Sequence, residues 1–215
     1  MVIFFSSLFK RAAMRVMTAV VLAAALAGTV SAPAPVRADS TITVDTTDGG
    51  LVDGGGAGDC SLAEAITNAN DNAATYADCG GGSAADTIDF HANLINATIL
   101  LSASLPDITD ANGLIIDGDL RITVSGQDSV RILTVSAPVT FIEMKINDGK
   151  DAAGNGGGVK VEASGNLTLD DSVFYSNEAV DGAGIYNAGT LNILESTFTS
   201  NKASSQGKGC LAFRA

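Results

Sequence analysis

The sequence predicts an all-β protein that folds as a parallel β-helix, and three observations lead to this prediction. From Asp86 to Ser204 the chain consists of short stretches that alternate apolar and polar residues and end at Gly, Asn, Asp or Ser, as strands joined by tight turns do. No helical period interrupts them. The third observation is a unit that recurs after 24 residues with equal side chains at equal offsets. Stacked coils of a solenoid require such a repeat, whereas an antiparallel sandwich does not.

The repeat is clearest between residues 167–179 and 191–203. Leu, Ser, Phe, Ser, Asn and Ala recur in step in the two copies. We expect equivalent residues to stack from coil to coil, with the aliphatic and aromatic side chains pointing inwards and the Asn amides hydrogen bonding to each other at a turn. The predicted structural ladder consists of Leu167, Phe174, Asn177, Leu191, Phe198 and Asn201.

The N-terminal segment differs from the rest of the chain and predicts export. Residues 1–38 contain no Asp or Glu, and a basic cluster is followed by an apolar run, Val16–Ala27, and by small residues before Asp39. The run is too short to span a bilayer, and this order is typical of a signal peptide. A membrane-anchored N-terminal helix is the alternative. Met14 would begin a tidier signal than Met1, so the start codon stays open. The basic residues of this segment are Lys10, Arg11, Arg15 and Arg37.

Removal of residues 1–38 leaves a strongly acidic chain. Residues 39–215 hold eight Lys and Arg against 24 Asp and Glu, a net charge of −16. Such a surface repels nucleic-acid phosphates and anionic lipids, which excludes both as partners. The remaining length is sufficient for one domain with a hydrophobic core. We expect no membrane span in the mature chain.

Two of the three cysteines, Cys60 and Cys79, are close in sequence and would meet an oxidising environment after export. We predict a disulfide between them, which closes a loop of about 20 residues. The alternative is a pair of free thiols. Cys210 has no obvious partner, and no nearby His or further Cys suggests a zinc site.

The chain divides into a cap, a coil region and a tail. Residues 39–112 are predicted to form an N-terminal cap with the first strands, and residues 113–204 the β-helix coils. A short helix is expected at Ser61–Asn70, because Asp59 or Ser61 can cap it and its apolar residues share one face. We expect residues 205–215 to be an irregular tail.

The tail lacks the alternating apolar residues of a further coil, so we expect the chain to be a truncated or frame-shifted part of a longer repeat protein. An uncovered last coil would leave a sheet edge and an apolar layer in water. This predicts self-association of the chain through its C-terminal coil.

The run Cys60–Ile66, Cys-Ser-Leu-Ala-Glu-Ala-Ile, resembles the motif of CSLREA-domain bacterial surface proteins, with Ala63 where that family usually has Arg. Two later runs resemble the Gly-Gly-Ala-Ile and Phe-x-x-Asn repeats of polymorphic outer-membrane proteins, namely Gly184–Asn187 and Phe198–Asn201. The resemblance covers most of residues 41–204. It implies a pectin-lyase-like, right-handed β-helix that is secreted or displayed on the cell surface, at the outer membrane if the organism has one. Members usually end in an anchoring module, which is not visible in this sequence.

Residues that suggest catalysis are few in the sequence. Asp170 and Asp171 are adjacent, but neighbours in a strand point to opposite faces, so we expect a polar turn. His91 has no carboxylate or Cys partner in local spacing, and we expect it to be a surface or loop histidine. The run Gly54–Asp59 lacks the spacing of a calcium nonapeptide and is expected to be a flexible loop. We therefore assign no catalytic, cofactor-binding or metal-binding residue.

Two functions from different classes remain. The first is a non-catalytic exported β-helix, an adhesin-like protein or structural scaffold that binds a surface glycan or protein. The second is a carbohydrate-active enzyme, a polysaccharide lyase or glycoside hydrolase, although fold alone is only an analogy. A carboxylate cluster on one outer sheet would favour the enzyme, whereas evenly spread Asn, Ser and Thr favour the scaffold. The sequence indicates the scaffold.

Overall fold

The computed structural model describes residues 40–50, 59–119, 122–205 and 210–211, with the backbone alone for the last pair. All of them belong to one unit, Arg37–Ala215. The predicted signal peptide, most of the glycine-rich run before Asp59 and the side chain of Cys210 lie outside the described residues. Within the described part, no helix is long and apolar enough to cross a membrane.

The protein is a parallel β-helix with one short α-helix near its N-terminal end, as the repeat predicts. The helix, α1, spans Leu62–Asp71, and a 3-10 helix spans Ala92–Leu94. In chain order the strands are β1 (Ser40–Val44), β2 (Asp86–Phe90), β3 (Thr98–Leu100), β4 (Leu114–Asp117), β5 (Thr123–Ser125), β6 (Leu133–Val135), β7 (Pro138–Ile142), β8 (Lys145–Asn147), β9 (Lys150–Asn155), β10 (Val159–Val161), β11 (Asn166–Asp170), β12 (Val173–Tyr175), β13 (Glu178–Asp181), β14 (Ile185–Asn187), β15 (Thr190–Leu194), β16 (Thr197–Thr199), β17 (Lys202–Ala203) and β18 (Cys210–Leu211).

Four sheets run along the solenoid. The first is six-stranded, in the order β1-β2-β4-β7-β11-β15, and the second is five-stranded, in the order β16-β12-β8-β5-β3. The third joins β6, β10 and β14 to β18, and the fourth joins β9, β13 and β17. Neighbouring strands pair in parallel, except that β18 pairs antiparallel with β14. The tail therefore covers the edge of the third sheet at Ile185 and Tyr186.

The core is built from inward columns of apolar side chains, because alternate residues of a strand point to opposite faces. In the six-stranded sheet, register places one inward residue of each strand beside the next. This column consists of Ile42, Ile88, Ile116, Phe141, Leu169 and Ile193. Its first five members are at most 2% exposed, and Ile193 is half-buried at the C-terminal end.

Helix α1 lies in the chain between the first two strands of that sheet. Ser61 caps its N-terminus in a reciprocal capping box with Glu64, and Asn72 ends it in the left-handed conformation. The predicted disulfide is present: Cys60 and Cys79 are bonded, with 4.8 Å between their Cα atoms. It links the residue before the cap to the loop that follows the helix.

Two features of the coils differ from the sequence expectation. The run Val139–Ile146 has the sequence pattern of a single strand but forms two, β7 and β8, because the backbone turns a corner at Glu143, whose φ is 52°. The strands of the fourth sheet, β9 and β13, were not predicted because their polar sequences show little apolar alternation. Parallel pairing with the neighbouring coil, rather than burial, defines them.

Candidate functional site: an acidic cleft on the outer face

Strands β2 and β4 bring two carboxylates together on the outside of the six-stranded sheet. Ile88 pairs with Ile116, so the next residues along these parallel strands, Asp89 and Asp117, stand side by side. Neighbouring strands are about 4.8 Å apart, which sets the distance between the two Cα positions. The isoleucines point into the core, so the aspartates point outwards.

The surroundings of the pair disfavour charge. Both aspartates are half-buried, and Asp89 Oδ1 is buried without a hydrogen-bond partner among the described residues. Asp117 Oδ1 accepts a hydrogen bond from the Asp119 amide at 3.1 Å. Burial raises the pKa of the Asp117 carboxyl, and the negative charge of Asp89 raises it further. Asp117 therefore holds a proton more readily than an ordinary exposed aspartate does.

The carboxylates line a cleft of about 250 Å³. Its other walls are mainly apolar and include Phe90, Leu94, Ile95 and Ile122. His91 also lines it; this side chain is exposed and caps the 3-10 helix by accepting from the Asn93 amide through Nδ1 at 3.3 Å. The cleft thus combines a paired carboxylate, an imidazole and apolar walls.

This arrangement suits two kinds of chemistry. Two neighbouring carboxyl groups, one of them with a raised pKa, can act as general acid and nucleophile in glycoside hydrolysis. The same oxygens can also hydrogen bond the hydroxyl groups of a neutral glycan while its sugar rings pack on the apolar walls.

A second depression of about 240 Å³ lies at the opposite ends of the same strands. It is lined by residues that include Asp86, Asn112, Gly113 and Pro138. An outward column with one residue from each strand of the six-stranded sheet passes through this depression, which its members Thr87, Ile115 and Thr140 line. The column consists of Thr41, Thr87, Ile115, Thr140, Thr168 and Asn192.

The residues of the predicted ladder lie in the last coils, away from the cleft in sequence. Leu167 pairs in register with Leu191, and the rings of Phe174 and Phe198 stack with their centroids 5.1 Å apart. Asn177 Nδ2 donates to Asn201 Oδ1 at 2.9 Å. These contacts hold adjacent coils together.

The acidic residues singled out in the sequence do not converge on a site. Asp170 and Asp171 are both exposed, and Asp171 has a φ of 45°, as residues in tight turns do. Sequence reasoning instead missed Asp89 and Asp117. The available signal was the dipeptide Ile-Asp at the end of two apolar strands, in Thr87–Asp89 and Ile115–Asp117. Recognising it required the register of β2 against β4.

Comparisons of the chain with protein-family models, with curated proteins and with solved structures found no match. The function is therefore argued from the geometry of the fold and of this cleft.

Proposed function

We propose that the protein is exported and acts outside the cell or on its surface as a non-catalytic, adhesin-like β-helix or scaffold. The parallel β-helix fits this role because it is a rigid rod whose outer sheets offer long, regular faces. The basic and apolar order of residues 1–38 and the disulfide Cys60–Cys79 support export.

The observation that carries the proposal is the outward column that runs across all six strands of the first sheet. Four of its six residues are threonine, and its members are exposed or half-buried. Threonine has a restricted χ1, so the hydroxyl groups are held in place at strand spacing before a ligand arrives. Little side-chain entropy is then lost on binding. An extended ligand that presents hydroxyl or amide groups fits this face.

The net charge of the protein further restricts the class of ligand. The net charge of −16 in residues 39–215 repels polyanions such as pectate, unless calcium bridges the two. A neutral surface glycan or a protein with a basic patch is the ligand class that we propose. The apolar walls of the acidic cleft supply a place for a sugar ring at one end of the face.

Binding of the purified chain to an array of neutral glycans and to immobilised surface proteins tests this proposal. We expect Thr140→Lys to weaken binding about tenfold or more, because a long charged side chain would stand in the middle of the column. Thr199→Lys adds the same charge to an exposed position of the second sheet and serves as the matched control. Equal binding by both variants, or no binding by the parent chain, would count against the proposed face.

The paired carboxylates support a second candidate function, a glycoside hydrolase. Asp117, whose pKa is raised, would protonate the leaving group, and Asp89 would act as the nucleophile. The test is the release of reducing sugar ends from neutral and acidic polysaccharides, with and without calcium. Release that disappears in Asp89→Asn and Asp117→Asn but persists in Asp170→Asn would establish the hydrolase. Asp170 is the control because it occupies the same outward row of the sheet.

A further inference from the structure

The disulfide brings a second pair of carboxylates together at the cap helix. Cys60 precedes the capping residue of α1, and Cys79 follows Asp78 in the loop beyond the helix. One carboxylate oxygen of Glu64 and one of Asp78 lie within 4.8 Å of each other and of the Cys79 sulfur. The covalent link therefore holds the loop carboxylate against the first turn of the helix.

Glu64 is fully buried, with 0% of its surface exposed. Its Oε2 atom accepts a hydrogen bond from the Ser61 amide at 3.0 Å, which completes the capping box. Its Oε1 atom is buried and has no hydrogen-bond partner among the described residues, and the same holds for Asp78 Oδ1. Each of the two carboxylates thus has one buried oxygen without a partner among the described residues.

Among the described residues, no Lys or Arg forms an ion pair with either carboxylate. The helix N-terminus contributes only a partial charge to Glu64. The sequence between Asp39 and Asp119 contains fourteen acidic residues and no Lys or Arg. The ion pairs of the described residues all lie between positions 131 and 178. An uncompensated buried carboxylate is strongly unfavourable, and a bound cation would relieve that cost.

We propose that Glu64 and Asp78 bind a divalent cation, Ca²⁺, at the junction of the cap helix and the disulfide loop. Both residues offer carboxylate oxygens, which are the ligands that Ca²⁺ prefers, and Ca²⁺ tolerates the irregular geometry of a helix end and a loop. The Cys79 sulfur is bonded to Cys60 and is not a ligand for a hard cation. With two carboxylates the site belongs to the weak class, with a dissociation constant of about 10⁻⁴ to 10⁻³ M.

The cation would fasten the loop to the helix beside contacts that already exist. Asn68, on the same helix, donates through Nδ2 to the carbonyl oxygens of Tyr76 and Gly80, at 2.9 and 3.0 Å. Ca²⁺ between Glu64 and Asp78 adds a further attachment of this loop and removes the repulsion between the carboxylates. The site therefore stabilises the cap without being part of the acidic cleft.

The thermal midpoint of the purified chain, followed by circular dichroism in EDTA and in CaCl₂, tests the site. In calcium at about ten times the dissociation constant we expect the parent midpoint to rise by roughly 4 °C. Glu64→Gln keeps the capping box and Asp78→Asn keeps the loop, and both lose this rise. Asp71→Asn removes an exposed charge at the end of the same helix, and this control variant should show the same calcium-dependent rise as the parent. In EDTA, Glu64→Gln melts at or above the parent, because one of the two facing charges is gone.

Three results would overturn the proposal. The first is a parent midpoint that does not respond to calcium. The second is an equal response in the parent, Glu64→Gln and Asp78→Asn, which would mean general screening of the acidic surface. The third is a midpoint that depends on pH and not on calcium, which would mean that the two carboxyl groups share a proton. Asp78→Asn lies outside the helix, so the test stands even if Glu64→Gln fails to fold.

Discussion

The two halves of the β-helix differ in how their charges are balanced. Residues 39–119 contain fourteen Asp and Glu and no Lys or Arg, whereas residues 120–215 contain ten Asp and Glu and eight Lys and Arg. Ion pairs among the described residues occur only in the second half, namely Arg131–Asp151, Lys150–Glu178 and Lys160–Glu162. The first half holds the acidic cleft and the Glu64–Asp78 pair.

The halves also differ in how buried polar groups find partners. In the second half Asn177 donates to Asn201 of the next coil and accepts from the Gly149 amide of the preceding one. In the first half, Glu64, Asp78, Asp89 and Asp110 each have a buried carboxylate oxygen without a partner among the described residues. Asn147 Oδ1 is the corresponding atom of the second half, so among the described residues the unpartnered buried carboxylate oxygens are confined to the first half.

The largest effect is expected from the aromatic ladder of the second half. Phe174 is 0% exposed and is covered by coils on both sides, whereas Phe198 lies in the last coil and is half-buried. We expect Phe174→Ala to cost about 3–5 kcal/mol of the free energy of unfolding and Phe198→Ala less than half of that. Urea unfolding of both variants measures the difference. Equal costs would mean that Phe198 is covered as fully as Phe174.

Loss of the disulfide is the largest change expected in the first half. The bond joins residues separated by 19 positions, and its removal should cost about 3 kcal/mol on the chain-entropy estimate. Urea unfolding of Cys60→Ser/Cys79→Ser against the parent tests this. The cost should exceed the estimate when calcium is present and not when EDTA is present, because the bond also positions Asp78. If the cost is the same in calcium and in EDTA, the disulfide does not position Asp78 for the proposed cation site.

Self-association through the last coil is a smaller, concentration-dependent effect. β15 and β16 end their sheets in the described part of the chain, and Leu194 of β15 is 53% exposed. We expect association at micromolar concentration by sedimentation, and weaker association for Leu194→Lys. Leu100→Lys is the matched control, since Leu100 is also 53% exposed but lies near the other end of the coils. A monomeric parent at tens of micromolar would contradict this prediction.

The smallest effect concerns the pH dependence of Asp117. Its pKa is raised in the folded protein, so the folded state binds a proton more readily than the unfolded state. Its contribution to stability therefore falls as pH rises from the unfolded pKa to the folded pKa, and is regained on acidification. Because the side chain is partly exposed, Asp117→Asn should stabilise the protein only slightly at pH 7. The gain should disappear near pH 3; an equal gain at both pH values would exclude titration as its cause.

Most of the fold could be predicted from sequence because the repeat reports side-chain stacking directly. The equivalence of Phe174 and Phe198 is visible as equal residues at equal offsets, and their rings stack. The helix was predicted from its capping residue and its apolar face, and its predicted bounds differ from the observed ones by one residue at each end. The polar strands of the fourth sheet were not predicted, because pairing of their backbones leaves no periodic trace in their side chains.

The sequence by itself determined the parallel β-helix, the cap helix and the pairing of Cys60 with Cys79, since these depend on periodicity, local capping and proximity along the chain. Only the tertiary structure brought Asp89 beside Asp117 and Glu64 beside Asp78. The first pair depends on the register of two strands, and the second on a disulfide loop folding back over a helix. Both contacts join residues that lie outside any repeat. A contact can be recognised from sequence when equal residues recur at a fixed spacing. These two pairs do not recur, so the local sequence pattern does not predict them.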